Sequence, residues 1–128
     1  MMNPVVHFEM PADDRKRMMA FYTKVFGWET KQLGPEMADF VLVNTTESEN
    51  NNPKKTGVIN GGFYQKTGGP SQTTTVTIRV DDIAAHMKEI VGAGGTISGD
   101  IQDMPGIGKF LSFFDTEGNR VNLIQPTP

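Results

Sequence analysis

Apolar and polar residues first alternate with period two, then recur at helical spacing, then alternate again, and the whole order occurs twice. The first run, Val5 to Met10, sets Val6, Phe8 and Met10 on one face and Val5, His7 and Glu9 on the other. Pro11 should end it, since it has no N–H to give a ladder. Asp13 or Asp14 then caps a helix over Arg15 to Val25, in which Met18, Phe21, Tyr22 and Val25 form a stripe expected to be buried. Gly27 stops this helix. Trp28 to Leu33 and Asp39 to Val43 read as strands joined by a turn at Gly34-Pro35. Asn44 to Thr56 has no apolar residue and reads as a solvated, mobile loop. Gly57 to Gln65 returns to strand character, with Asn60-Gly61-Gly62 expected to mark a bulge, and Lys66 to Ser71 is the hinge.

The second copy opens at Thr73 to Asp82, and its helix runs from Asp82 to about Val91 with Ile83, Met87 and Ile90 inward. Gly92, Gly94 and Gly95 end it. Strands follow at Thr96 to Ile101, Lys109 to Phe114 and Arg120 to Gln125, the last two joined by a polar turn over Asp115 to Asn119. Met104 to Gly108 reads either as a cover over the site or as an ordinary hairpin connection. Asp14 and Asp82 stand 68 positions apart, as do Gly27 and Gly95. Two copies are too few for a solenoid. They imply an α+β domain of two tandem βαβββ modules, residues 1–66 and 72–128, each an antiparallel-rich sheet with a helix on one face. Side by side, such sheets would form one curved mixed sheet with a trough on the face away from the helices.

Composition then narrows the chemistry. With no cysteine among 128 residues, disulfides, thiolate catalysis and Cys-based zinc sites are excluded. Two histidines, His7 and His86, cannot build an imidazole-rich metal site. A net charge of −3 offers no basic face for nucleic acid. No apolar run is long enough to span a bilayer, and no secretory signal is visible, so a cytoplasmic location without membrane contact is expected.

Five segments carry a family likeness: Val6-His7-Phe8-Glu9-Met10-Pro11-Ala12-Asp13-Asp14, Ala20 to Trp28, Asn60-Gly61-Gly62, Val80-Asp81-Asp82, and Asp115-Thr116-Glu117-Gly118-Asn119. Together they resemble the vicinal oxygen chelate superfamily of glyoxalase I, bleomycin-resistance proteins and extradiol dioxygenases, and within it the "lactoylglutathione lyase-related" subgroup. The resemblance implies the glyoxalase/bleomycin resistance/dihydroxybiphenyl dioxygenase fold and a homodimer. It also implies a small-molecule ligand in the trough. Metal-dependent members take four His, Glu or Gln ligands from the first and last strand of each module. Carried over, the first ligand position falls on His7, and its counterpart on Thr75. The last strands offer Asn122 and the neighbourhood of Asn60 and Gly62, with no carboxylate. One good ligand in four does not hold a catalytic divalent ion. Glyoxalase I activity and a tightly bound metal or cofactor are therefore not expected; weak divalent binding at His7 stays open.

Two functions compete. One is an isomerase or lyase on a small polar organic molecule, with His7 and Glu9 as acid and base. The other is a non-catalytic binding or sequestering protein of the bleomycin-resistance kind. His7 is a general base oriented by Glu9, or a hydrogen-bonded cavity histidine. Glu9 and Arg79, near the strand ends of the two copies, form an ion pair, or Arg79 anchors a carboxylate ligand. Thr75 and Thr77 donate to a ligand or line a half-wet strand; Asn122 marks the ligand end of the cavity or pairs with His7 or Thr75. Asn60, Phe63 and Phe113 complete the candidate ligand-binding set, the phenylalanines as apolar wall.

Overall fold

The computed structural model describes residues 2–68 and 72–128; Gly69, Pro70 and Ser71 of the expected hinge lie outside the described residues. The chain divides into two compact units, His7–Thr74 and Met1–Val6 with Thr75–Pro128.

Module one contains β1 (Val5–Ala12), α1 (Arg15–Phe26), β2 (Glu29–Gln32), a 3-10 turn at Pro35–Met37, β3 (Val41–Asn44), a small ribbon of β4 (Ser48–Glu49) and β5 (Asn52–Pro53), and β6 (Asn60–Gln65). β1 pairs parallel with β6, which pairs antiparallel with β3, itself antiparallel to β2. Pro11 does not end β1: it sits opposite Tyr64, and pairing continues to Ala12. The Ala12 carbonyl accepts from the Lys66 N–H at 2.8 Å. A parallel strand bonds one neighbour through alternate residues, so Phe8, Met10 and Ala12 serve β6, and the missing N–H of Pro11 points elsewhere.

Asp14 caps α1, its carboxylate accepting from the Arg17 N–H at 3.0 Å, and Gly27 closes the helix in the left-handed conformation with φ 72°. The packed stripe differs from expectation. Met18, Met19 and Tyr22 cover Val41, Val43 and Phe63, with Phe8, Met10 and Trp28 alongside, while Phe21 and Val25 are each 54% exposed. The true stripe is rotated by about one position toward Met19, because Tyr22 stacks on Trp28 with ring centroids 4.7 Å apart.

Module two repeats the order with β7 (Thr75–Arg79), α2 (Ile83–Gly92), β8 (Thr96–Met104), β9 (Gly108–Phe114) and β10 (Arg120–Pro126). β7 pairs parallel with β10, β10 antiparallel with β9, and β9 antiparallel with β8. The strand order 2-3-6-1 of module one thus matches 8-9-10-7 here. Ile83, Met87 and Ile90 of α2 pack, as expected, on Val80, Leu111 and Leu123. Met104 to Gly108 is the ordinary hairpin connection, closed by the Ile107 N–H on the Met104 carbonyl at 2.9 Å.

Asn60-Gly61-Gly62 is not a bulge. These residues pair in unbroken register with His7, Phe8 and Glu9. Both glycines are there for packing: a Cβ on Gly61 would collide with the Phe8 carbonyl and ring, and one on Gly62 with the Phe40 ring.

Candidate functional site

Strand alternation and the position of each helix define two helix-free sheet faces, one per module. In module one, Phe8, Met10 and Phe63 belong to the helix-side core, so His7, Glu9, Asn60, Gly62, Leu42 and Asn44 look the other way. His7 lies beside Asn60 and Glu9 beside Gly62, with the Phe40 ring over the glycine. The His7 ring is half-buried and has no hydrogen-bond partner among the described residues. Burial lowers its pKa from the ordinary 6.5, so the imidazole is neutral at physiological pH. Asn44, opposite Glu29, follows Val43, which pairs with Gly61; it therefore continues the cross-strand row of His7 and Asn60. Its Oδ1 is the one buried side-chain acceptor among the described residues with no hydrogen-bond partner.

Asn60, read from sequence as ligand-binding, has another task. Its Oδ1 accepts from the Thr45 N–H at 2.8 Å, and its Nδ2 donates to Ser48 Oγ at 2.8 Å and the Asn51 carbonyl at 2.9 Å. The buried amide is spent on the connection between β3 and β6, so that segment is an ordered hairpin rather than the loose loop expected.

In module two, Thr75, Thr77, Ser112 and Asn122 are buried on the helix-free face. Asn122 Oδ1 accepts from Ser112 Oγ at 2.8 Å, and its Nδ2 donates to Thr75 Oγ1 at 2.9 Å and more distantly to Thr77 Oγ1 at 3.5 Å. Arg120 Nη2 donates to Ser112 Oγ at 3.3 Å. Of the two partners expected for Asn122, Thr75 is observed. Arg79 is exposed at the end of β7, where its N–H donates to the Pro4 carbonyl at 3.0 Å. At the 68-residue offset Arg79 corresponds to Pro11, and Glu9 to Thr77, so the two charges are not equivalent as the sequence reading had them.

Phe63 and Phe113 do not stand on these faces. Phe63 is fully buried under α1, and Phe113 packs with the α2 core. The aromatic residues sharing the face of Ser112 and Asn122 are Phe110 and Phe114. Sequence reasoning chose the wrong alternation phase for β6 and β9. The phase of β9 was readable, because Ser112 stands between Phe110 and Phe114 at period two. It also missed Phe40, Asn44, Ser112 and Arg120; Ser112, between Phe110 and Phe114, and Arg120, two residues from Asn122, were marked by strand period.

A family model for the Glyoxalase/Bleomycin resistance protein/Dioxygenase superfamily matches residues 5–123. The chain belongs to this superfamily. Its fold is that of a methylmalonyl-CoA epimerase structure with TM-score 0.68 at 15% identity, covering 97% of this chain and 95% of that one. A methylmalonyl-CoA epimerase from Mycobacterium tuberculosis superposes with TM-score 0.64 at 12% identity, over 97% and 88% of the two chains. A superfamily member from Vibrio splendidus 12B01 does so with TM-score 0.59 at 16% identity, over 95% and 97%. No curated protein sequence matches significantly. Identities this low speak for the fold alone.

The superfamily's metal chemistry can be tested against the donors present. The positions carried over to module two are a threonine hydroxyl and an asparagine amide already bonded to each other, with the Arg120 guanidinium on their neighbour Ser112. A hard divalent ion wants carboxylates and zinc wants several N or S donors, so this set does not suit either. Among the described residues no three His, Asp or Glu side chains come together as a metal-binding group. No helix among them is long and apolar enough to cross a membrane.

Proposed function

We propose that this superfamily member binds a small organic molecule on the helix-free face of module one, without a tightly held metal, and that neutral His7 is the group that meets it. The observation carrying this reading is the half-buried imidazole with no hydrogen-bond partner among the described residues, on the same face as the Phe40 ring that covers Gly62. A neutral imidazole offers one acceptor and one donor, and Phe40 with Leu42 offers apolar surface. As an enzyme, the chain would use His7 to take a proton from the bound molecule, with the Glu9 carboxylate stabilising the imidazolium that forms.

A second reading, sequestration without turnover, is favoured by module two. There Thr75, Thr77 and Asn122 bond to one another, which suits a structural framework better than a reacting surface. Single-turnover assays on the first ligand identified separate the two readings. The homodimer implied by the resemblance and the cytoplasmic location expected from the sequence belong to the same proposal; sedimentation equilibrium and fractionation measure them.

The test is a ligand screen by thermal shift on untagged protein, with and without divalent metals. A binder of the folded state raises stability by RT ln(1 + [L]/Kd). A small organic molecule should raise the Tm of wild-type protein and leave His7→Ala, folded by circular dichroism, unmoved. One equivalent of transition metal in protein purified without chelator, or unchanged binding by His7→Ala, would overturn the reading.

A further inference from the structure

The repeat makes one segment conspicuous. In module two, β9 and β10 are joined by five residues, Asp115 to Asn119; in module one, the equivalent strands β3 and β6 are joined by fifteen, 45–59, which build the β4–β5 ribbon. Asn50 and Asn51 turn this ribbon at φ 50° and 64°. An insertion of this kind in a solvated loop would need no buried anchor. This one has one: the Asn60 amide holds it at Thr45, Ser48 and Asn51, and Thr45 Oγ1 donates to the Ile59 carbonyl at 2.7 Å. Asn60 is also the lateral neighbour of His7, about one strand spacing of 4.8 Å away and pointing to the same face. The ribbon therefore rises beside the imidazole, and Asn44, with its unpartnered buried Oδ1, is the residue from which it departs.

We infer that the β4–β5 ribbon is the specificity wall of the module-one site, and that Asn60 is the positioning residue that holds it there. The inference rests on the reading of that face as a small-molecule site. The occupant it fits is a compact, uncharged organic molecule with one apolar ring or branch and one hydroxyl or amide donor. The apolar part lies against Phe40 and Leu42, and the donor meets the acceptor nitrogen of His7. A carboxylate fits poorly, because it has no proton to give the acceptor nitrogen of His7. The ribbon limits how far the molecule extends across the sheet from His7 toward β3.

Benzyl alcohol is the probe, since it carries one ring and one hydroxyl; biphenyl-4-methanol is its longer analogue and benzoate its anionic one. Binding is read from the His7 ring resonances in carbon–proton correlation spectra, where only His7 and His86 contribute imidazole signals. Wild-type protein should respond to benzyl alcohol and not to biphenyl-4-methanol or benzoate. Asn60→Ala should admit the longer alcohol and weaken benzyl alcohol about tenfold, which is ~1.4 kcal/mol. Should Asn60→Ala not fold, Ser48→Ala, which removes one Asn60 bond and the Ser48 Oγ bond to the Thr46 carbonyl, should shift the preference the same way. If both probes keep their wild-type order in the folded variant, the wall is refuted while the module-one site stands. If the long alcohol binds wild type as well as the short one, the wall is refuted directly. If none of the three moves the His7 resonances of wild type, the site reading falls and the wall with it.

Discussion

The two modules share strand order, pairing directions and helix placement, yet they handle their buried polar groups in opposite ways. Module two closes its groups on each other. Asn122 joins β9 and β7 through Ser112 and Thr75, and at the surface the Asp115 carboxylate knots its own turn. That carboxylate accepts from Asn119 Nδ2 and from the Asn119 and Glu117 N–H groups, bonds that hold its pKa below the usual value. Module one spends its buried amide, Asn60, on an inserted ribbon and leaves the His7 ring without a hydrogen-bond partner among the described residues. A repeat fixes where strands lie; which copy carries function shows in where polar groups are left unanswered, since leaving one buried is costly.

The largest effect that tests this contrast is in the core. Phe63→Ala should cost about 3–5 kcal/mol in chemical denaturation, because the ring is wholly enclosed under α1. A cost below about 1 kcal/mol, with altered ligand binding instead, would restore Phe63 to the ligand wall that its sequence position suggested. Next come the two buried asparagines. Asn122→Ala strands Ser112 and Thr75 and should destabilise the fold by about 1–3 kcal/mol. Asn60→Ala should cost a similar amount, but amide exchange should separate the two. The Thr45 N–H, bonded to Asn60, should lose protection far beyond the global change, while β9 and β10 should not. Equal loss across both modules would mean that the ribbon is simply part of the framework.

How far the sequence led differs by level. Strand and helix order was legible because the period switch between 2 and 3.6 is written twice, each copy correcting noise in the other. Helix starts at Asp14 and Asp82 followed from capping chemistry. The packed side of α1 was not legible, since Phe21 and Val25 are as apolar as Met18 and Met19, and only the stack of Tyr22 on Trp28 decides the rotation. The candidate site was half legible. Alternation put His7, Thr75 and Asn122 on the helix-free side, as the structure has them, whereas the bonding of Asn60 depends on Ser48 and Asn51, polar residues in a segment with no period at all. Gly62 with Phe40 was hidden for a related reason: a glycine in a strand reads as a weakness until the ring that fills its place is seen.

Gly62→Ala offers a smaller perturbation aimed at that ring. A new Cβ would occupy the Phe40 ring position and approach the Val41 carbonyl at 2.9 Å. The ring can rotate away but the Val41 carbonyl must shift with its strand, so the cost should be about 1–3 kcal/mol, the usual range for overpacking. Binding on the module-one face should weaken more than stability does. If stability falls and binding is untouched, Phe40 is sheet packing only.

The smallest expected effect concerns His7 and pH. Its folded-state pKa lies below the ordinary 6.5 because burial disfavours the charged ring. Above about pH 6.5 the imidazole is neutral in both folded and unfolded chains, and His7 adds no slope to stability. Below that, the unfolded chain binds a proton that the folded chain still refuses, so stability falls as pH drops toward the folded-state pKa and levels off beneath it. His7→Gln lacks this term. Urea denaturation across the acid range should therefore show the wild type losing stability relative to His7→Gln below about pH 6.5, with the two curves parallel above it. Parallel curves throughout would mean that the ring is not desolvated in solution, and the face beside Asn60 would then be open water rather than a site. A wild type that gains on the variant as pH falls would mean that a carboxylate, Glu9 being the nearest along the strand, holds the imidazolium. His7 would then be half of an ion pair instead of a neutral acceptor, and the molecule it meets would have to supply a different partner.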